Sequence, residues 1–576
     1  MTTFDVVVIG SGLSGLAFAR FYLDIHPEAE LVIIEEDRCL GGVWNERRSY
    51  DNFWCQSGRR MSGFSDVPLT VPEDAPLYHD TFEAKYVTNY LEEYAHNHIY
   101  NGKSIFSRIY FYCKAIKINK SNDGWEVITE LPSNLKEKHP SQLPISHACR
   151  KLVVATGRTS YPRMPSIDWE PSMRFVRHHK AFGELSQQPL PWASGVLFFA
   201  VLGGGKSAAD MVYELAKKGQ NVKWIIRASG EGPPLLFPAP GHGRYKNSVE
   251  SSATRLKALF SPSPFMPTTW WFSMIQTLLY GTRTGINYMI QRIRNVDQYC
   301  RNIAGYDSRP ESLEGFKLLD FSSSAFWCTG PVGLVQHDDF WETISQNVQV
   351  YRNDVVSYKD NIITLDNGKQ LIADELLLGT GWDPQQQGFS DKEAYYLGLP
   401  HFKSMESIKE RSFWDQLYEE ADRRVIAKFP LLENPPPHQN RASPDTSVQR
   451  LYKGIAPLAD DTIAFLGGID ISNSFRAAET QAIWTTAYFD GNIKLPPLEK
   501  RLEEVAYMGA FSKRRYPTHG QKGECFFFEL VWYTDALLHE VGLRSHRKGW
   551  WADFMEPCLA SDLKGMKDEY KQKFGL

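Results

Sequence analysis

No two of the eight cysteines fall in a C-x-x-C. Neither a zinc knuckle nor a local dithiol redox pair is therefore encoded. H-E-x-x-H and G-x-S-x-G are also missing, as is any cluster with metal-ligand spacing. That excludes motif-borne metallohydrolases and nucleophile-elbow serine hydrolases, and no metal is expected. No run of 18 apolar residues occurs. The nearest candidate, 265–280 (FMPTTWWFSMIQTLLY), is too short and too polar to span a bilayer. Lys and Arg total 64 against 68 Asp and Glu, a net charge of −4. No overall basic field draws nucleic acid, and none is expected as a partner. No basic and apolar leader precedes the first strand, so no cleaved secretory signal is expected. The final KFGL matches no retrieval or lipidation signal. Eight scattered thiols suit a reducing compartment, and the expected location is cytoplasmic.

What is present reads as an α/β chain. Its 576 residues leave room for three or four units at roughly 150 residues each. Asp5–Gly10 (DVVVIG) has the unbroken β-branched run of a strand buried on both faces. A helix is predicted over Leu13–Asp24 and a second strand over Leu31–Ile34. Alternating strands are expected over 104–130, with SNDG at 121–124 as a hairpin turn. The polar stretch 132–147 reads as a surface excursion, and Lys151–Ala155 as another buried strand. A second start of the same kind follows: strand Val196–Leu202, helix Ser207–Lys218, strand Val222–Ile226. Aromatic-rich helical material is expected over about 253–305, and strands over 347–378 and Thr462–Leu466. Helices are expected from about 475 and again from 524.

The first loop is Gly10-Ser11-Gly12-Leu13-Ser14-Gly15, a G-x-G-x-x-G. Its first glycine permits the tight turn, the second lets backbone approach a pyrophosphate, and the third lets helix and strand pack closely. The helix N-terminus adds free N–H groups and a positive dipole end. An acid ends the second strand, at Glu35 or Glu36. A carboxylate there accepts the ribose hydroxyls of an adenosine. The second loop is Gly203-Gly204-Gly205-Lys206-Ser207-Ala208, a G-x-G-x-x-A that runs on into Ala209 and Asp210. Its second strand ends in Arg227, with Ser229 near. A cation there disfavours NAD and suits the 2′-phosphate of NADPH; the plainer reading is a solvated strand-end charge. Lys206 adds positive charge near phosphates. Two such loops suggest two nucleotides, and a flavin with a nicotinamide makes chemical sense because hydride passes between them.

Further motifs resemble the class B flavoprotein monooxygenases: the flavin-containing monooxygenases and their Baeyer–Villiger relatives. Glu35 is followed by Gly41-Gly42-Val43-Trp44, similar to that family's E-x5-GG-x-W. Ala155-Thr156-Gly157 with Pro162 and Pro165 resembles its ATG-x4-P-x2-P linker, and Gly379-Thr380-Gly381-Trp382 its second linker. Leu451-Tyr452-Lys453, Phe465-Leu466-Gly467, Glu479-x-Gln481-Ala482 and Leu495-Pro496 are also similar. FSKRRYP (511–517) and VWYTDALLHEVGL (531–543) look like fungal members.

The resemblance implies an α/β fold of two nested Rossmann-like dinucleotide-binding domains, with a helical insertion and a helical C-terminal tail. FAD would be bound by 1–157 and 382–500, and NADPH by 158–381 with its insertion at about 253–305; the tail is 501–576. It also implies a C4a-(hydro)peroxyflavin, formed after NADPH reduces FAD, that gives one atom of O₂ to a small organic substrate. A fungal polyketide or other secondary metabolite is the implied class. Gln56 to Pro68 (QSGRRMSGFSDVP) is similar to the family's flavin-lining N-x4-M-S-x-(Y/F)-S-D-F-P. The family's Asn, whose amide meets the flavin, NADP and the oxygen adduct, is Gln56 here. Gln also offers donor and acceptor, one methylene farther out. Gln56 is thus the candidate catalytic residue, with Ser57 beside it; a loop cap is the plainer reading.

Several readings stay open. Arg59, Arg60 or Arg158 could favour a peroxide anion, or be solvated loop charges. Around His178-His179 the family fingerprint FxGxxxHxxx(Y/W) fits neither register: Ser172 and Arg174, or Met173 and Phe175, fall on its F and G. The pair either orients the interdomain linker or lies at the surface. Residues 263–292 combine Trp270, Trp271, Phe272, Met274, Ile275, Leu278, Leu279 and Tyr280 with Arg283 and Arg292. They could touch a membrane surface, cover a substrate channel, or pack on the NADPH domain. The rivals to oxygen insertion by the flavin-containing route are Baeyer–Villiger attack on a ketone, an NADPH-dependent dehydrogenase or reductase, and a non-enzymatic redox-sensing flavoprotein. The oligomeric state is left open.

Overall fold

A computed structural model describes residues 2–132, 135, 143–169, 176–187, 197–383, 388–439, 443–472 and 474–576. Residues 133–134 and 136–142 of the expected surface excursion, Val196, and positions 172–175 of the histidine fingerprint lie outside the described residues.

The chain opens with β1 (Thr2–Ile9), α1 (Leu13–Ile25), β2 (Leu31–Ile34) and α2 (Lys85–Asn97). It continues through β3 (Ile109–Tyr110), β4 (Lys114–Ser121), β5 (Gly124–Glu130) and β6 (Ile145–Val154). Val6, Val7 and Val8 of β1 are fully buried, as an apolar run between two covered faces requires. β1 pairs in parallel with β2 and β6, Ile9 standing beside Ile34 and Val154. β6 runs antiparallel to β5 over its first half and parallel to Ile463–Phe465 over its last three residues. A late segment of chain therefore completes the first sheet, whose order is β3-β2-β1-β6-β5-β4.

The second sheet comes wholly from the intervening chain. It contains β7 (Val176–His178), β8 (Phe198–Leu202), β9 (Asn221–Ile226), β10 (Val348–Arg352) and β11 (Glu375–Leu378), with α3 (Lys206–Lys217) between β8 and β9. Its order is β7-β11-β8-β9-β10, and every pairing is parallel. Where the chain leaves and re-enters the first unit, Tyr161–Pro162 pairs antiparallel with Trp382–Asp383. One Rossmann-like unit is thus nested within another, with the two crossings side by side.

A small four-stranded sheet (Asp168–Trp169, Val355–Lys359, Ile362–Leu365 and Gln370–Ile372) flanks the second unit, and helices make up much of the rest: α4 (Trp270–Gln276), α5 (Arg283–Ala304), α6 (Ile408–Lys428), α7 (Ser474–Phe489), α8 (Leu498–Arg515) and α9 (Leu530–Val541). From Phe475 on, every residue of α7 is buried, because it packs against both α1 and α9. The insertion corrects one expectation. Its aromatic stretch packs on the tail and on the end of α6, and not on the second unit. Phe272 meets Trp532 edge-on at 5.3 Å, and Tyr280 meets Phe429 at 5.4 Å. Large apolar side chains need apolar partners, and α9 offers them. Only Cys300 and Ala304, near the end of α5, join the core of the second sheet. On the opposite face Trp270 (78% exposed), Met274 and Leu278 remain in solvent. No helix among the described residues is long and apolar enough to cross a membrane. The eight cysteines are unpaired.

Candidate active site

The β1–α1 turn, the end of β2 and the two crossings close around a cavity of about 560 Å³. That lies within the range of small-molecule and cofactor sites, about 300–1,000 Å³. Gly10 enters the turn at φ +105°, and a Cβ there would sit 2.6 Å from the Ala155 carbonyl oxygen, so only glycine fits. A Cβ on Gly15 would strike the Gly10 carbonyl oxygen. Gly12 is the N-cap of α1 and supplies no side-chain cap, so the first N–H groups of the helix stay open to a phosphate.

Glu35 follows β2 and is buried. Its Oε2 accepts hydrogen bonds from the Ser11 N–H (2.9 Å) and hydroxyl (2.6 Å), and its Oε1 accepts one from the Asp37 N–H at 2.9 Å. Burial pushes its carboxyl above the ordinary range, and those hydrogen bonds oppose the shift. The structure brings Gly10, Gly12, Leu13, Ser14, Glu35, Glu36, Gly42, Val43, Trp44, Thr156, Gly157 and Gly381 to the wall of this one cavity. Two buried nitrogens at that wall have no hydrogen-bond partner among the described residues: Trp44 Nε1 and Arg48 Nε. Open helix amides, acids at the strand end and unpartnered donors together fit an FAD.

Arg48 is the cation that sequence reasoning missed. It is 7% exposed, donates from Nη1 to the Thr159 carbonyl at 2.9 Å, and lies over the Trp382 ring at 5.4 Å. No carboxylate reaches ion-pair distance of it among the described residues. Burial pulls its guanidinium below the ordinary value. The arginines weighed from sequence are placed differently. Arg59 pairs with Asp80 at 2.8 Å, and Arg60 takes both oxygens of Glu250 at 2.9 Å. Both lie off the cavity; Arg158 lines it, but pairs with Glu524 at 2.9 Å.

The surface reading of the histidine pair is overturned. His178 is buried, donates from Nε2 to the Gly381 carbonyl at 3.0 Å, and accepts the Lys180 N–H at Nδ1. It packs edge-on against Trp382 at 4.8 Å. It therefore ties β7 to the returning crossing. Burial pulls His178 down to about 4 and His179 to about 3, and both ring nitrogens of His179 are buried without partners among the described residues.

The second glycine group stands apart from this cavity, on the β8–α3 turn. Gly203 has φ +147°, and a Cβ there would collide with the Gly379 carbonyl oxygen. Gly205 is the N-cap of α3, again without a side-chain cap, so the Lys206 and Ser207 amides open the helix toward a ligand, while the Ala208 and Ala209 N–H groups donate to the Gly205 carbonyl at 3.1 Å. Lys206 pairs with Asp210 one turn on. Arg227 follows β9 and is exposed, while Ser229 gives both its N–H and hydroxyl to Asp354. Gln56 and Ser57 are not on the wall of the 560 Å³ cavity. Gln56 is exposed and its Oε1 accepts the Leu334 N–H at 2.9 Å. Thr380 donates its hydroxyl to the Arg163 carbonyl.

The pattern of the pyridine nucleotide-disulphide oxidoreductases matches residues 7–233. An FAD-dependent monooxygenase of Aspergillus nomiae is 30% identical over 95% of this chain and 94% of its own length. The chain belongs to the FAD-dependent monooxygenases. A relative so described from Pyrenophora dematioidea is 30% identical to the monooxygenase over 95% of this chain and 99% of its own. Caprolactone-bound cyclohexanone monooxygenase matches it at a TM-score of 0.60 and 13% identity, over 95% and 99% of the two chains. An S-allyl-L-cysteine S-oxygenase from Allium sativum matches at 0.52 and 13%, over 99% and 94%. At such identities these two likenesses concern the fold.

Other wall residues of the monooxygenase were not named from sequence as cofactor ligands, among them Tyr161, Lys180, Asp470 and Ser474. Gly467 and Gln481 carried a signal within the motif resemblance. Arg48 carried none, because nothing local marks an arginine as buried and unpaired.

Proposed function

We propose that this monooxygenase is NADPH-dependent and adds one oxygen atom of O₂ to a small organic substrate, holding FAD in the 560 Å³ cavity. Arg227 carries the NADPH reading. It stands at the end of β9 beside the second glycine loop, exposed, with no carboxylate within ion-pair distance among the described residues. An open guanidinium there suits a 2′-phosphate. The uncapped α3 offers its amides to a pyrophosphate, and the Lys206–Asp210 pair holds a cation at the same turn.

FAD, when bound, supplies hydride acceptance and activation of O₂. The amides of Leu13 and Ser14 would hold its pyrophosphate, and Glu35 and Glu36 its ribose. Trp44 and Trp382 wall the cavity with ring surface and keep water out. Arg48 supplies the unpaired positive charge. Gln56 stays the catalytic candidate through its amide N–H₂, because its oxygen is committed to Leu334.

The test has two arms. Anaerobic mixing of the yellow holoenzyme with each nicotinamide should show NADPH bleaching the flavin at least about tenfold faster than NADH. Equal rates would remove the NADPH reading. Turnover of candidate substrates under ¹⁸O₂ should put one labelled atom in the product. If all consumed NADPH is instead recovered as hydrogen peroxide, oxygen insertion is wrong.

A further inference from the structure

A second chamber of about 210 Å³ lies between the insertion and the tail. Its apolar lining includes Phe237, Phe260, Met289, Phe326, Phe528 and Leu530. Three cations join them: Lys257, Arg292 and Arg515, with no acidic residue in the lining. None of the three has a carboxylate within ion-pair distance among the described residues. Arg515 is the decisive group. It is 2% exposed and its Nε has no hydrogen-bond partner among the described residues. Its Nη1 donates to the Phe326 carbonyl, and its guanidinium lies 4.1 Å from the Phe326 ring centre and 5.5 Å from that of Phe528. Glu529 stabilises its charge through space, beyond ion-pair distance, and has its own Oε2 taken by the Tyr516 hydroxyl at 2.8 Å. A buried cation with an idle donor in an apolar chamber is costly without a ligand.

The chamber adjoins the cofactor cavity. Asp470 and Ile471 line the cofactor cavity, and the next residue, Ser472, lines this chamber. The wall between them is pinned by backbone bonds: Asp470 N–H to Glu524, Phe526 N–H to Asp470, and Ser472 N–H to Phe527. Its floor is rigid, because Trp532 Nε1 donates to the Ala258 carbonyl at 3.1 Å and the Tyr280 hydroxyl to that of Leu259 at 2.7 Å. Ser252 and the half-turned-out Val296 stand at its exposed mouth. We propose that this chamber is the substrate site, and that it takes a flat apolar ring system bearing one anionic oxygen group, a carboxylate, phenolate or enolate, seated on Arg515. The rings match the aromatic lining, and the anion supplies the charge that the chamber lacks. What becomes of the bound molecule rests on the oxygen-insertion reading; occupancy of the chamber does not.

Calorimetric titration of the FAD-loaded enzyme, without NADPH, tests this with 2-naphthoate and its uncharged isostere 2-naphthamide. The carboxylate should bind at least about tenfold tighter, the worth of one charge-assisted hydrogen bond. Arg515→Gln should erase that preference, and Val296→Trp, at the mouth, should weaken both compounds. If Arg515→Gln fails to retain flavin, Val296→Trp decides the matter, since its site tolerates bulk without disturbing the core. Equal binding of the two compounds, binding of neither, or indifference to Val296→Trp overturns the proposal. The titration uses neither NADPH nor O₂, so its failure leaves oxygen insertion standing, and failed ¹⁸O labelling leaves the chamber standing.

Discussion

Replacing His178 by Gln converts a buried titrating clamp into a neutral one. The Gln amide can donate to the Gly381 carbonyl and accept from the Lys180 N–H, the two bonds that the imidazole makes. It cannot take up a proton. Burial lowers His178 from its ordinary 6.5 to about 4 in the folded protein. Between those values the unfolded chain binds a proton that the folded chain excludes. Stability from this site is therefore complete above pH 6.5 and is lost as pH falls toward 4. At about 1.36 kcal/mol per pH unit, acidification from 6.5 to 5 costs the wild type about 2 kcal/mol, and the variant nothing at this site. For a chain of 576 residues that is a melting shift of about 2 °C. The assay is differential scanning fluorimetry of both proteins at pH 7.5 and pH 5. Read as a difference, it cancels the titrating groups that do not sense His178; His179, which His178 helps to push down, is relieved in the same direction. The variant should melt slightly lower at pH 7.5, and its deficit should shrink or reverse by about 2 °C at pH 5. An unchanged gap would refute the claim that the folded site excludes the proton.

Two further outcomes follow from the nucleotide loops. Gly15→Ala forces a Cβ against the Gly10 carbonyl oxygen; overpacking of about 1–3 kcal/mol should weaken flavin retention roughly tenfold or more. The flavin-to-protein absorbance ratio after gel filtration reads this, and full flavin content would contradict it. Arg227→Ala should raise the KM for NADPH about 10- to 100-fold, the loss of a charge-assisted contact of roughly 1.5–3 kcal/mol. The kcat and the KM for NADH should hold; a matching rise for NADH would place Arg227 away from the 2′-phosphate.

Some elements were legible because their cause is local. Both glycine turns were found at the right residues, since a positive φ and a close backbone approach are demands on single positions. β1, α1, β2 and the matching second set followed from apolar runs and period. α6 was overlooked, although its buried Trp414, Ala421 and Val425 fall on one helical stripe; most of its other positions are polar and dilute that signal. α2 was overlooked in the same way, with Val87, Leu91 and Tyr94 spaced for one face. The long β6 exceeded its expected length because its first half pairs with β5, a partner that apolar patterning alone does not reveal.

The sequence by itself determined two strand–glycine–helix units, the acid after the first, the basic residue after the second, and the motifs that link them. Each is a property of a few neighbouring residues. Tertiary structure decided the fate of charge. Arg59 and Arg60 found Asp80 and Glu250, Arg158 found Glu524, while Arg48 and Arg515 were buried with no carboxylate at ion-pair distance among the described residues. It also took the histidine pair from a presumed surface to the crossing between the two units. Burial and pairing depend on what the folded chain brings alongside from far away in sequence. They set whether a charged side chain is a solvated ornament, a structural clamp, or a group held open for a ligand.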